Sequence, residues 1–338
     1  MTDPVDDLPM VSLIVPVRNE EHHIGRCLES VLVQEYPEAR LEVIVVDGAS
    51  ADGTREVAAT IAGGRAGWQV LDNPRRALIP GMNLGIQRAG GEYIGYVNGH
   101  SQLPPDYVRR MVGLAKRHGA WSVGGRIDRV SETPTRAAFA AVMSHPLGVG
   151  DSRHNYATTA GPAETVFPGF WPRWVFERVG LFDERMTANE DNELSHRIRM
   201  AGGLIWYDPS VVIRYHPRAS FGASFRQLHG YGSGKVKVWR IHPSALRPRQ
   251  LVPAAWVAFV GIGLLATALR PALLPLYAAG NCAYAAITAV ASVQLSGGRI
   301  GAALRTWGAF ATVHAAYGIG TWRGLLGWAI TLIRPSRQ

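Results

Sequence analysis

Val11-Ser-Leu-Ile-Val15, closed by Pro16, and Leu41-Glu-Val-Ile-Val-Val46, closed by Asp47-Gly48, are the two stretches whose reading decides the fold. Each is short, apolar and β-branched without polar alternation, the pattern of a strand buried on both faces. Between them, Ile24, Leu28, Val31 and Leu32 share one helical stripe, with Asn19 placed to cap its start. Working outward, Ser50–Thr54 opens a helix through Ile61, Trp68–Leu71 is a third strand, and Gly81–Ala89 is a helix. Tyr93–Val97 is a fourth strand, and Pro104-Pro105 starts a helix to about His118. Strands alternating with helices predict an α/β fold, a mostly parallel sheet covered by helices on both faces. Ligands of such sheets bind beyond the carboxyl ends of the strands. The residues that matter are therefore Arg18 to Glu20, Asp47 to Ser50, Asn73 to Arg76 and Asn98 to His100.

Charge divides the 338-residue chain unevenly. All 26 acidic residues lie in 1–208 beside 21 Lys and Arg, a formal −5; the last 130 residues hold 14 basic residues and no acid, a formal +14. The basic excess adjoins long apolar runs and no nucleic-acid motif, so it predicts contact with anionic lipid and no nucleic acid. Cys27 and Cys282 fall in dissimilar segments and make neither a disulfide framework nor a zinc site. The first ten residues are acidic without an apolar core and do not read as a signal peptide; 1–9 read as disordered.

Several ordered motifs then carry a resemblance: Val15-Pro-Val-Arg-Asn-Glu20, Val45-Val-Asp-Gly-Ala-Ser-Ala-Asp-Gly-Thr54, Gly81-Met-Asn-Leu-Gly-Ile86, Gly91-Glu-Tyr-Ile94, Val97-Asn-Gly-His100, Leu103-Pro-Pro-Asp-Tyr107 and Asn189-Glu-Asp-Asn-Glu-Leu194. Over about residues 10–245 the chain resembles family 2 glycosyltransferases of the GT-A fold, especially bacterial enzymes of the succinoglycan type. The resemblance implies a nucleoside diphosphate sugar donor, with Pro16, Arg18, Glu20, Asp47, Arg75, Arg76, Asn83, Asn98, Gly99 and Gly169 around it. Asp47 takes the nucleotide base on this reading, and helix capping on the plain one. Arg75 and Arg76 face a base carbonyl or phosphate, or are a solvated basic pair.

Asn98-Gly-His100 occupies the slot where the family places its metal-binding Asp-x-Asp or Asp-x-His. Asn98 replaces the leading acid, and its amide oxygen ligates without charge; His100 remains, as a ligand for Mn²⁺ or Mg²⁺ or as a hydrogen-bonding histidine of the pocket. Weaker metal binding, a metal held mainly by the diphosphate and His100, and lost activity all stay open. Glu190-Asp191 stands at the start of a helix read over Thr187–Gly202, where the dipole keeps a carboxylate ionised. In the family the aspartate of this pair is the base of inverting transfer, which assigns Asp191, with Glu190 in support; simple helix capping is the alternative. Phe167–Trp171 resembles the segment lining the sugar pocket. His216, Arg218 and Lys235 are candidates for diphosphate or lid contacts, or, for Lys235, Lys237 and Arg240, for lipid headgroups.

The rear, 246–338, reads as a membrane domain. Spans fall at about 251–269, 273–295 and 306–322, with 324–333 interfacial or re-entrant because Arg323 is costly mid-bilayer. Basic residues before the first span and after the second put both, with the front domain, on the cytosolic face of a multi-pass inner-membrane protein. The expected reaction is sugar transfer to a polyprenyl-linked saccharide or polyprenyl phosphate. The rival is a non-catalytic membrane scaffold that binds sugar nucleotides and has lost its metal acid.

Overall fold

The computed structural model describes residues 8–149, 155–216 and 220–333. Along the chain run β1 (Val11–Val17), α1 (Glu21–Leu32), β2 (Leu41–Asp47), α2 (Thr54–Ala62), β3 (Trp68–Asp72), α3 (Leu78–Arg88) and β4 (Tyr93–Tyr96). Next come β5 (Ser101–Gln102), α4 (Tyr107–His118), β6 (Ser122–Arg129), α5 (Pro134–Met143), α6 (Pro146–Val149), β7 (Gly161–Pro162) and β8 (Phe170–Pro172). Then follow α7 (Trp174–Val179), α8 (Glu190–Met200), β9 (Ile205–Tyr215), α9 (Phe221–Ile241), α10 (Val252–Leu269), α11 (Leu274–Leu295) and α12 (Ile300–Ile333).

The chain forms two compact units, whose described residues are 8–128 with 157–216, and 129–149, 155–156 and 220–333. The sequence divides at 245; the compact units divide at His216, so α9 belongs with the rear helices. Of the nine residues read as disordered, 1–7 lie outside the described residues. Leu8 packs on the core, and Tyr36 Oη donates to the Pro9 carbonyl at 2.5 Å.

In the first unit the sheet order is β3-β2-β1-β4-β8-β6-β9-β5, with β7 on β9. The first four strands are parallel, Val11–Val17 lying in register with Leu41–Asp47. β8 pairs antiparallel with β4 and β6, and β5 and β7 pair antiparallel with β9, so the sheet is mixed rather than uniformly parallel. Every residue of β1 and β2 is buried, as their unbroken apolar runs require. Removing each Val, Leu or Ile there from water is worth at most about 1.5–3 kcal/mol. Pro16 falls beyond the last β1 residue that β4 pairs, where a missing N–H costs no ladder bond on that side. Parallel β3, β2, β1 and β4 thus bring four carboxyl ends to one edge.

The second unit is helical. Pro248–Leu269 and Pro271–Leu295 are long and apolar enough to cross a membrane, and little of either is buried in the protein. The chain after them does not break at Arg323 as the sequence suggests: α12 is one helix through Ile333. Small residues let α9 and α12 touch. A Cβ on Gly320 would stand 2.1 Å from the His229 carbonyl oxygen, and one on Gly232 2.1 Å from that of Tyr317. Two polar pairs join the helices, Tyr284 Oη with His314 Nδ1 at 2.9 Å and Trp307 Nε1 with Thr288 Oγ1 at 2.9 Å.

Candidate active site

Four non-glycine residues adopt left-handed φ among the described residues: Asn19 (55°), Ala49 (54°), Arg76 (55°) and Asn189 (62°). Three follow the ends of β1, β2 and β3, and the fourth directly precedes α8. Such backbone is held only where the surroundings over-determine it, and it gathers at functional sites. Three of the four loops singled out in the sequence carry such a residue; the Asn98–His100 loop carries none.

Asp47 ends β2 with its side chain buried. Its carboxylate accepts from Ser50 Oγ at 2.5 Å and Ser50 N at 3.1 Å, which closes the loop on itself. The Asp47 carbonyl accepts from Asn73 N at 2.8 Å, joining this loop to the one after β3. Arg18 reaches across to the same loop, donating from Nη1 to the Arg76 carbonyl at 2.9 Å. Arg75 is not a solvated basic side chain alone: it pairs with Glu184. That salt bridge, with the hydrogen bond from Asn83, holds the Glu184 carboxyl below its ordinary value.

Asn83 was grouped by resemblance with the donor ligands. In the structure its amide is spent on the chain, donating to the Phe182 carbonyl at 2.9 Å and to Glu184 Oε1 at 3.2 Å, and accepting from Phe182 N at 3.0 Å. It pins the segment leading to Glu190. Arg197 does the same from α8, gripping Glu193 at 2.7 and 2.8 Å and donating to the carbonyls of Gly180 and Leu181 at 3.1 and 2.9 Å. Neither Glu184 nor Arg197 belongs to a motif the sequence displays, and their partners lie up to 109 and 18 residues away.

The helix bearing the acid pair starts at Glu190, three residues later than its pattern suggests, because left-handed Asn189 cannot extend it backward. Glu190 is buried. Loss of hydration, and then the like charge of Asp191, push its carboxyl up to about 7. Asp191 is half-buried and accepts one hydrogen bond, from Asn192 Nδ2 at 3.1 Å. Two adjacent carboxyls thus have different surroundings, one dry and one partly exposed, at a helix N-terminus that favours negative charge.

Beyond β4, Gly99 is pressed onto the end of β1, where a Cβ would meet Val17 Cγ1 at 2.6 Å. That approach brings His100 Nδ1 to 3.0 Å from Glu20 Oε1. The His100 ring stands edge-on to Tyr215 at 4.8 Å, and His216 N donates to the His100 carbonyl at 3.2 Å. His216 also stacks on His23 at 5.2 Å; burial, with neighbouring His216 and His100, holds the His23 ring below its usual value. Gly169 flanks the same loop, its carbonyl accepting from Tyr96 N at 3.0 Å; a Cβ there would strike the Trp171 indole. Lys235 is buried on α9 in the second unit, and Arg218 lies outside the described residues.

No three His, Cys, Asp or Glu converge to hold a metal among the described residues. The slot offers the amide oxygen of Asn98 and the imidazole of His100. This set fits an ion that arrives on diphosphate oxygens and takes one or two ligands from the chain, not a cage made by protein alone.

The Glycosyl transferase family 2 profile matches residues 12–167. Succinoglycan biosynthesis protein ExoA of Rhizobium meliloti (strain 1021) is 31% identical, over 95% of this chain and 97% of that protein. A Methanococcus voltae dolichyl N-acetyl-alpha-D-glucosaminyl phosphate 3-beta-D-2,3-diacetamido-2,3-dideoxy-beta-D-glucuronosyltransferase is 27% identical, over 67% of this chain and 72% of its own. Among solved structures, mannosyltransferase PcManGT from Pyrobaculum calidifontis in complex with GDP-Man and Mn²⁺ superposes with a TM-score of 0.60 at 20% identity, covering 96% of this chain and 91% of that one. S. aureus TarS 1–349 in complex with UDP-GlcNAc gives 0.53 at 15% identity, over 94% and 92%. The fold is GT-A, and relatedness along almost the whole length settles the lineage: the chain belongs to the family 2 glycosyltransferases.

Proposed function

We propose that this enzyme transfers a sugar from a nucleoside diphosphate donor to a lipid-linked or membrane-proximal acceptor, with inversion, during assembly of a cell-surface polysaccharide or glycolipid. The observation that carries the reading is the pairing of a dry Glu190 with an open Asp191 at a helix start, tied through Glu184 and Arg75 to the loops that would hold the nucleotide. Asp191 takes the proton of the acceptor hydroxyl as its oxygen attacks the anomeric carbon. The bond from that carbon to the diphosphate breaks on the opposite side, and the nucleoside diphosphate leaves with the electron pair. Asp47 receives the base, and Arg18, Arg75 and Arg76 line its approach.

Asn98 and His100 would hold a divalent ion carried on the diphosphate, which when bound offsets charge on the leaving group; the Mn²⁺ in the mannosyltransferase neighbour supports that assignment. GDP-Man and UDP-GlcNAc in the neighbours support a nucleotide-sugar donor, and the dolichyl phosphate named for one relative supports a lipid-linked acceptor. The two apolar helices support residence in the cell membrane, and the basic residues flanking them support a cytosolic active site.

Thermal-shift screening of purified protein against nucleoside diphosphate sugars, with and without Mn²⁺, identifies the donor. With that donor, Asp191→Asn should bind normally and fail to turn over; retained turnover removes Asp191 as the base.

A further inference from the structure

The carboxylate absent at residue 98 has a counterpart beside His100 in space and 80 residues from it in sequence. Glu20 Oε1 lies 3.0 Å from His100 Nδ1, with the two side chains only 16% and 12% exposed. Both partners are fixed from several sides. Glu20 N donates to Thr54 Oγ1 at 2.7 Å, and its carbonyl accepts from His23 N and Ile24 N at 2.8 Å each. His100 is held by the close approach of Gly99 to Val17, by Tyr215 against its ring, and by His216 on its carbonyl. A carboxylate that accepts from Nδ1–H leaves Nε2 as the bare lone pair, and it makes that nitrogen a better donor to a cation.

We propose that Glu20 is the positioning residue of the diphosphate site, setting the His100 tautomer and supplying from behind the ring the negative charge that Asn98 does not. The proposal rests on reading the Asn98–His100 loop as the place where a metal–diphosphate binds. Glu20 touches neither metal nor sugar on this account; it acts through His100. A mere tether between two loops would need the bond but not the charge, and this separates the two roles.

The test uses full-length protein in detergent, with ¹⁵N-histidine spectra and electron paramagnetic resonance of Mn²⁺ in the presence of inorganic pyrophosphate. Wild type should show His100 protonated at Nδ1. E20Q should lose that tautomer preference and weaken Mn²⁺–pyrophosphate binding by roughly 10–100-fold, at an unchanged melting temperature. Returning the acid to the loop, in E20Q/N98D, should restore the affinity. E20Q that keeps wild-type spectra and binds within twofold of wild type overturns the proposal. Weakening without rescue by N98D also overturns it, leaving a tether. Wild type that binds no Mn²⁺–pyrophosphate overturns the donor-site reading itself, and the proposal with it.

Discussion

The two edges of the parallel sheet treat buried acids in opposite ways. At the amino edge, Glu42 accepts from Ser12 Oγ at 2.5 Å and from Gly90 N at 2.8 Å, and Ser12 Oγ in turn accepts from Gly91 N at 2.9 Å. The network is closed and its backbone ordinary. On the carboxyl side, Glu190 is equally buried but has Asp191 for a neighbour and, among the described residues, its own backbone N–H in support, directly after left-handed Asn189. The amino edge spends this acid on the fold. At the carboxyl edge Asp47 is likewise closed on Ser50, while Glu190 is left in a state that a proton would satisfy.

Substitutions can break this contrast. The largest effect should be on turnover: Asp191→Asn is expected to lower kcat about 10²–10⁴-fold, while its unfolding curve matches wild type. Glu42→Ala should do the reverse. It leaves the Ser12 hydroxyl and the Gly90 N–H without their acceptor, at roughly 1–3 kcal/mol each, read as a lower denaturation midpoint.

Glu190 predicts a dependence on pH. Its folded value lies above its unfolded one, so the native state binds the extra proton and stability falls as pH rises from about 4.5 through 7. Thermal melts of Glu190→Gln should lack that fall and exceed wild type at pH 8; parallel curves for the two proteins would remove the burial argument. The smallest effect is at Asn189. Because the φ of residue 189 is 62°, Asn189→Ala should be less stable than Asn189→Gly by about 1 kcal/mol, read as a difference between the two denaturation midpoints.

Legibility in the sequence followed burial and distance. β1 and β2 were readable because both faces are buried, so every residue reports its environment. β5 and β7 have two residues each and β8 three, too few to show any period, so the antiparallel half stayed hidden. The site was legible where motif residues end strands: Asp47, Asn98 and His100 stand where the alternation of strands and helices puts them. What joins them was not. Arg75 meets Glu184 from 109 residues away, and Glu20 meets His100 from 80. Asn83, grouped by resemblance with the donor ligands, gives its amide to Phe182, a contact no local pattern announces. Arg323 suggested a break in the last helix, yet packing of Gly320 and Gly324 on α9 carries the helix through it.

That unbroken run has a geometric consequence. Thirty-four residues rise about 51 Å, against a hydrocarbon layer of about 30 Å. Standing upright in a bilayer, α12 would project roughly 20 Å into headgroups or water, and only a steep tilt would submerge it. The shorter pair, α10 and α11, have the length of the oily slab; α12 exceeds it, and a lipid layer thicker by a few ångströms would still be too thin to immerse the helix upright.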